Sequence, residues 1–207
     1  MGKLKQIPER KRVAIIGDGK SEFAYIESLK IAFKEKLSAY SLKPRLPKDS
    51  SVKELERFIV ENLDYDKVLC IIDMDTKLKK QKELSDYLEL KRKYHRKSHV
   101  IFYETHPCTE LWFYYHFQYT TSEFGFFEPE LKRQLERKIP GYEKKSPFCT
   151  YQHIIKCGGN FDTAVVNGRR SIDSRDGDDR NYTYSEMVRF FEEIGVVEKQ
   201  DDNKIKM

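Results

Sequence analysis

Four acidic residues stand where this polypeptide can hold a cation. Asp18 and Glu22 flank the entry to a helix after the turn Gly17-Asp18-Gly19, and Asp73 and Asp75 close the apolar run Val68–Ile72. Residues two apart on extended backbone project the same way, so Asp73 and Asp75 are expected to present two carboxylates to one ion. Without a counter-charge such a pair repels and its pKa values rise, a cost that a hard divalent cation removes. Mg²⁺ or Mn²⁺ suits oxygen donors with open water positions, as phosphodiester chemistry requires. Asp18 and Glu22 are four apart and either can face the same cleft, where a helix N-terminus also favours an anion. Simpler readings stand beside these: Asp73 and Asp75 as solvated caps, Asp18 as a helix N-cap, Glu22 as a first-turn acid complementing the dipole.

Three other patterns fail on spacing. Gly19-Lys20-Ser21 has the tail of a phosphate-binding loop, but Ala14 stands where the template needs glycine and a strand occupies the would-be loop. Cys149, His153 and Cys157 recur every four residues, yet the first and last are about 12 Å apart along a helix, too far for one zinc ion. His106-Pro107-Cys108 with Glu110 has part of a deaminase signature but carries Leu111 where a second cysteine belongs.

The elements that must position the acids follow from periodicity. Val13–Ile16 reads as a strand, and Tyr25, Leu29, Ala32, Phe33 and Leu37 recur at helical spacing after the turn. Tyr40–Leu46 is a short strand confined by Pro44 and Pro47 to an edge or bulge. Ser51-Val52-Lys53-Glu54 is a capping box opening a helix to about Asn62. Val68–Ile72 reads as a strand buried on both faces. A charged helix over Leu78–Tyr94 leads to a strand over His99–Tyr103, and Pro107 starts a helix carrying Leu111, Trp112, Tyr115 and Phe117. Beyond it, Glu128–Lys138, Phe148–Cys157, Asn160–Ser171 and Thr183–Ile194 read as helices, the last opening on the capping box Thr183-x-x-Glu186, with a charged loop over Asp173–Asn181. Strands alternating with helices imply an α/β fold with an open, mostly parallel sheet flanked by helices and a C-terminal helical extension. In such sheets ligands gather beyond the carboxyl ends of the strands, where Asp18, Asp73 and Asp75 fall.

Composition agrees with a globular chain: 207 residues, 39% hydrophobic, 35% charged. Lys and Arg outnumber Asp and Glu by 39 to 34, with runs at Lys77, Lys79, Lys80, Lys82 and at Lys91, Arg92, Lys93, Arg96, Lys97. Cations beside an acidic site suit a polyanion, so Lys20, Lys77, Lys79, Lys80 and Arg92 are candidates for nucleic-acid contact; a solvated helix face explains each run equally well. The aromatic set Trp112, Phe113, Tyr114, Tyr115 and Phe117 reads as core rather than as a base-stacking platform. No apolar stretch approaches the roughly 20 residues that cross a bilayer, and the polar, basic Met1–Arg12 is not followed by a secretory h-region, so a cytoplasmic protein without membrane contact is expected. The four cysteines form no CxxC pair and read as reduced thiols.

In order, the motifs resemble those of the RloB family, TOPRIM-related proteins of prokaryotic phage-defence and restriction loci. Ile15-Ile16-Gly17-Asp18-Gly19-Lys20-Ser21-Glu22 is similar to the family's strand and "EGxTE", and Asp73-Met74-Asp75 to its "DxD". His106-Pro107-Cys108-Thr109-Glu110-Leu111-Trp112 resembles "NPCFELW", and Asn167–Arg170 with Asn181-Tyr182-Thr183 resembles the closing segments. Asp18 stands where the family has glutamate and His106 where it has asparagine. The resemblance implies a TOPRIM-like core over residues 1–125, a C-terminal helical region over 126–207 packed on it, and an abortive-infection role. It also implies a metal pair at Asp73 and Asp75, Asp18 in the place of a proton-transferring acid, and Glu110 as a further site acid. The leading expectation is a Mg²⁺- or Mn²⁺-dependent nuclease acting on DNA or RNA. The alternatives are a non-catalytic module that docks onto an ATPase partner and a nucleic-acid binder that does not cleave.

Overall fold

The computed structural model describes residues 9–122, 124, 130–175, 177 and 182–200. The expected helix start at Glu128, Asn181 of the closing segment, residues 1–8 and much of the loop Asp173–Asn181 lie outside them. The strands are β1 (Lys11–Ile16), β2 (Tyr40–Arg45), β3 (Lys67–Asp73), β4 (Val100–His106) and β5 (Tyr184–Ser185), joined in one sheet in the order β2-β1-β3-β4-β5. β1 to β4 are parallel to their neighbours and β5 is antiparallel to β4. Helices α1 (Lys20–Ala32), α2 (Val52–Glu61), α3 (Met74–Leu78) and α4 (Gln81–Tyr94) lie between the strands of the parallel part. Then come α5 (Glu110–Tyr115), α6 (Glu130–Lys138), α7 (Tyr151–Lys156), α8 (Phe161–Asp173) and α9 (Met187–Glu193). This is the α/β, open, mostly parallel architecture that the alternation of elements implied.

Period-two alternation sorts the central strands between two apolar layers. Val13, Ile15, Leu69 and Ile71 face a layer with Tyr25 and Leu29 of α1, the aromatic α5, and Phe190 and Phe191 of α9. Ala14, Ile16, Val68, Cys70 and Ile72 face the other layer, with Leu55 and Ile59 of α2 and Tyr87 and Leu90 of α4. Both faces of β1 and β3 are therefore covered, which is why these strands read as unbroken apolar runs. Trp112, Phe113, Tyr114 and Tyr115 are buried in the first layer, so the aromatic run is core. Pro44 sits on β2, an edge strand, where a missing N–H costs no ladder bond.

Several boundaries differ from the sequence reading. The charged helix expected over Leu78–Tyr94 is α4, which begins three residues later at Gln81, and a separate short helix, α3, precedes it with Lys77 buried. α5 starts at Glu110, not at Pro107. The Pro107 carbonyl accepts the Asp75 N–H at 2.8 Å, and the Thr109 N–H donates to Asp73, so residues 107–109 bridge β4 to the end of β3 before the helix begins. Thr183 does not cap a helix: its hydroxyl donates to the Ser122 carbonyl, Tyr184 and Ser185 form β5, and α9 begins at Met187. Cys149 lies outside α7, so the Cys-His-Cys face does not exist; Thr150 caps that helix instead. No described helix is long and apolar enough to cross a membrane.

Candidate metal centre

The carboxyl ends of β1, β3 and β4 lie side by side, and each delivers an acid through the segment that follows it. Asp73 is the last residue of β3 and is 7% exposed; its Oδ1 accepts the Thr109 N–H at 2.8 Å and the Thr109 hydroxyl at 2.9 Å. Both bonds come from the β4–α5 bridge, which fixes Asp73 against Glu110. Glu110, the first residue of α5, is fully buried. Its Oε1 accepts from Ser21 at 2.9 Å and from Tyr142 at 3.2 Å, and its Oε2 pairs with Lys144 at 3.1 Å. Cys108 completes a group in which one ligand atom each of Asp73, Cys108 and Glu110 lies within 4.8 Å of the others.

Glu22 enters from the first turn of α1, 3% exposed, with no hydrogen-bond partner for Oε2. The glycines before it make room. A Cβ on Gly17 would come within 2.7 Å of Glu22 Cβ, and one on Gly19 within 3.3 Å of Oε2, so the side chain lies over a turn that only glycine leaves open. Burial, and next the charge of Glu110, push the Glu22 pKa up to about 7. Burial, followed by the charges of Glu22, Glu110 and Asp18, holds Asp73 well above the ordinary carboxylate range. Burial also raises the Cys108 thiol, reinforced by Glu110 and Asp73.

Asp18 lies at the same edge, engaged otherwise. Its Oδ2 accepts from Lys77 Nζ at 3.2 Å, the Asp73 N–H at 3.2 Å and the Thr76 hydroxyl at 3.4 Å. Lys77 is fully buried and also donates to the Ser50 carbonyl at 2.5 Å. The pair stitches the β1 turn to the β3 end. Burial raises the Asp18 pKa even so, against the pull of the Lys77 ammonium. Asp75 does not continue the strand, as the two-apart geometry required. It sits one residue into α3, its carboxylate 3.8 Å from Lys79 and outside the Asp73–Cys108–Glu110 group.

Asp18, Glu22, Asp73 and Glu110 thus converge, and Asp75 stands one step aside. Several buried carboxylates meet here with Lys144 as a partial counter-charge and no hydrogen-bond partner on Glu22 Oε2, an arrangement whose remaining repulsion a proton or a further cation relieves. Two carboxylates and a thiol, with Glu22 beside them, fit a divalent ion. Of the basic candidates, Lys20, Lys79 and Lys80 are exposed at this edge, whereas Lys77 is buried and unavailable to a ligand. Arg92 lies eleven residues along α4, about 16 Å from its start. It lines an open groove of about 860 Å³ between α2 and α4, where Glu56, Asp86 and Glu89 offset Lys53 and Lys93. That groove is of mixed sign, not a basic channel. Sequence reasoning missed Ser21, Thr109, Tyr142 and Lys144, and set Cys108 aside with the deaminase pattern. Only Ser21, Cys108 and Thr109 had a signal, as neighbours of quoted motifs.

A mostly parallel sheet whose strand ends gather buried acids defines an α/β protein with a candidate metal centre. Residues 13–194 match the family described as RloB-like protein, and the chain belongs to that family. No curated protein and no solved structure matches it.

Proposed function

We propose that this RloB-like protein is a metal-dependent, nuclease-like phosphodiesterase with a TOPRIM-related core, serving prokaryotic phage defence. The observation that carries the reading is the meeting of Glu22, Asp73 and Glu110 at the carboxyl edge of the sheet, with Glu22 Oε2 unpartnered. Asp73 and Glu110 would hold Mg²⁺ or Mn²⁺, with Cys108 flanking them and Asp75 outside. Such an ion polarises a phosphoryl oxygen and acidifies bound water. Glu22, whose pKa burial and the Glu110 charge raise in the metal-free protein, stands beside these ligands as the acid that would accept a proton from an attacking water. Thr109 and Ser21 orient the two ligand carboxylates, and Lys20, Lys79 and Lys80 supply exposed positive charge for a polyanion. Family membership supports the defence setting.

The test is cleavage of DNA and RNA by the purified chain with Mg²⁺ or Mn²⁺, wild type against Asp73→Ala. Loss of activity in the variant supports the reading, and equal activity refutes it.

A second reading rests on Asp18. Its Oδ2 is taken by Lys77, Thr76 and the Asp73 N–H, so it is poorly placed to move a proton. This favours a module that docks onto an ATPase partner, or binds nucleic acid, without cleaving. A protein inert with every metal that still binds its ATPase partner after Asp73→Ala would establish it.

A further inference from the structure

The acidic cleft already contains a cation. Lys144 reaches it from the connection between α6 and α7, its ammonium 3.1 Å from Glu110 Oε2. Tyr142, two residues earlier and 1% exposed, anchors the same connection on the other oxygen of that carboxylate. The division of labour on Glu110 is informative. Oε1 is committed to two hydroxyls, those of Ser21 and Tyr142, so Oε2 is the oxygen left for a charged ligand. An ammonium and a divalent ion on one oxygen repel each other strongly in a site this buried. Lys144 differs from the other buried cation of this edge, Lys77, in how it is held. Lys77 is fully buried, whereas the Lys144 side chain is 41% exposed.

We propose that Lys144 is an exchangeable internal cation: it holds Glu110 in the metal-free protein, gives up Oε2 to an incoming divalent ion, and then binds the phosphate of the substrate. The inference rests on the metal-site reading and adds a substrate-positioning residue to it. A displaced ammonium tethered beside the ion has an obvious counterpart in a phosphoryl oxygen, since the same side chain can offer up to three donors as a mobile point charge. The exchange also keeps the clustered carboxylates partly neutralised before the metal arrives, so the site stays assembled when empty.

The experiment is Mn²⁺ titration of the full chain by calorimetry for wild type, Lys144→Gln, Lys144→Arg and Asp73→Asn, followed by inorganic phosphate titration of the Mn²⁺-loaded proteins. Removing the competing charge of a partly exposed pair is expected to tighten Mn²⁺ binding in Lys144→Gln about threefold to fivefold. Phosphate binding should weaken in Lys144→Gln, and Lys144→Arg, which keeps the charge, should stay near wild type in both. Equal or weaker Mn²⁺ binding by Lys144→Gln overturns the exchange, and unchanged phosphate binding overturns the positioning role. Mn²⁺ binding that is absent, or identical in wild type and Asp73→Asn, overturns instead the metal-site reading on which it rests.

Discussion

Replacing Glu22 with glutamine removes an ionisation that the fold opposes. The Glu22 pKa rises from 4.5 to about 7 through burial first and Glu110 second, so the folded metal-free protein binds this proton more tightly than the unfolded chain does. Stability from that proton is full below the unfolded value and is lost as pH climbs through 7. By linkage, the raised pKa costs about 1 kcal/mol at about pH 5, where the unfolded glutamate ionises and the folded one does not, and about 3 kcal/mol at about pH 8. His116 acts the other way below its ordinary value of 6.5, because burial lowers its pKa to about 3 and the unfolded chain then binds a proton that the buried ring does not take. The wild-type curve mixes the two, so the informative quantity is the difference between Glu22→Gln and wild type. Thermal unfolding without metal should show the variant's advantage growing by about 5–10 °C from about pH 5 to about pH 8, at about 2–4 °C per kcal/mol for a chain of this size. Saturating Mn²⁺ at 100 times its Kd adds about 2.7 kcal/mol to wild type at the alkaline end. A difference between the two proteins that does not change with pH would refute the reasoning, because Glu22 would then ionise as freely as in the unfolded chain.

Lys77→Met should destabilise the fold by about 3 kcal/mol in urea, since it leaves Asp18 buried without its ammonium; adding Asp18→Asn should recover part of the loss. Asp73→Asn should abolish Mn²⁺ binding by calorimetry, whereas Asp75→Asn, whose carboxylate pairs with a half-exposed Lys79, should shift affinity less than about fivefold. Replacing Lys20, Lys79 and Lys80 together with alanine should flatten the salt dependence of oligonucleotide binding by up to about three in the log–log slope, while Arg92→Ala leaves it unchanged.

Much of the scaffold was legible because its determinants are local. Val68–Ile72 reads as a doubly covered strand because both apolar layers use it, and Ser51 accepts the Glu54 N–H at 3.2 Å as the N-cap, although the return half of the capping box is not made: the Ser51 N–H donates to Asp49 and Glu54 is held by Arg57. β5 was not legible: two residues carry no period, and they are strand only because β4 lies beside them. Asp18, Glu22, Asp73 and Glu110 were found by motif and strand-end position, and the structure gathers them. What each does there was hidden, since it depends on partners far away in sequence. Lys77 looks like one lysine among four until Asp18, 59 residues before it, draws it inward. Asp75 was assigned by extended spacing, and one helical turn beginning at Met74 redirects it. Lys144 sits in a run of charged residues with nothing to set it apart except a fold that closes over Glu110.

The short antiparallel strand also bears on how the chain matures. Ser185 pairs with Thr105 and Tyr184 with His106, while the Tyr184 hydroxyl donates to Glu104 at 2.9 Å. Until ribosomal synthesis passes residue 185, β4 has an open flank next to the acids, an invitation to intermolecular pairing. Chains that stop short of residue 185 are therefore expected to aggregate rather than close the sheet beside the acid cluster.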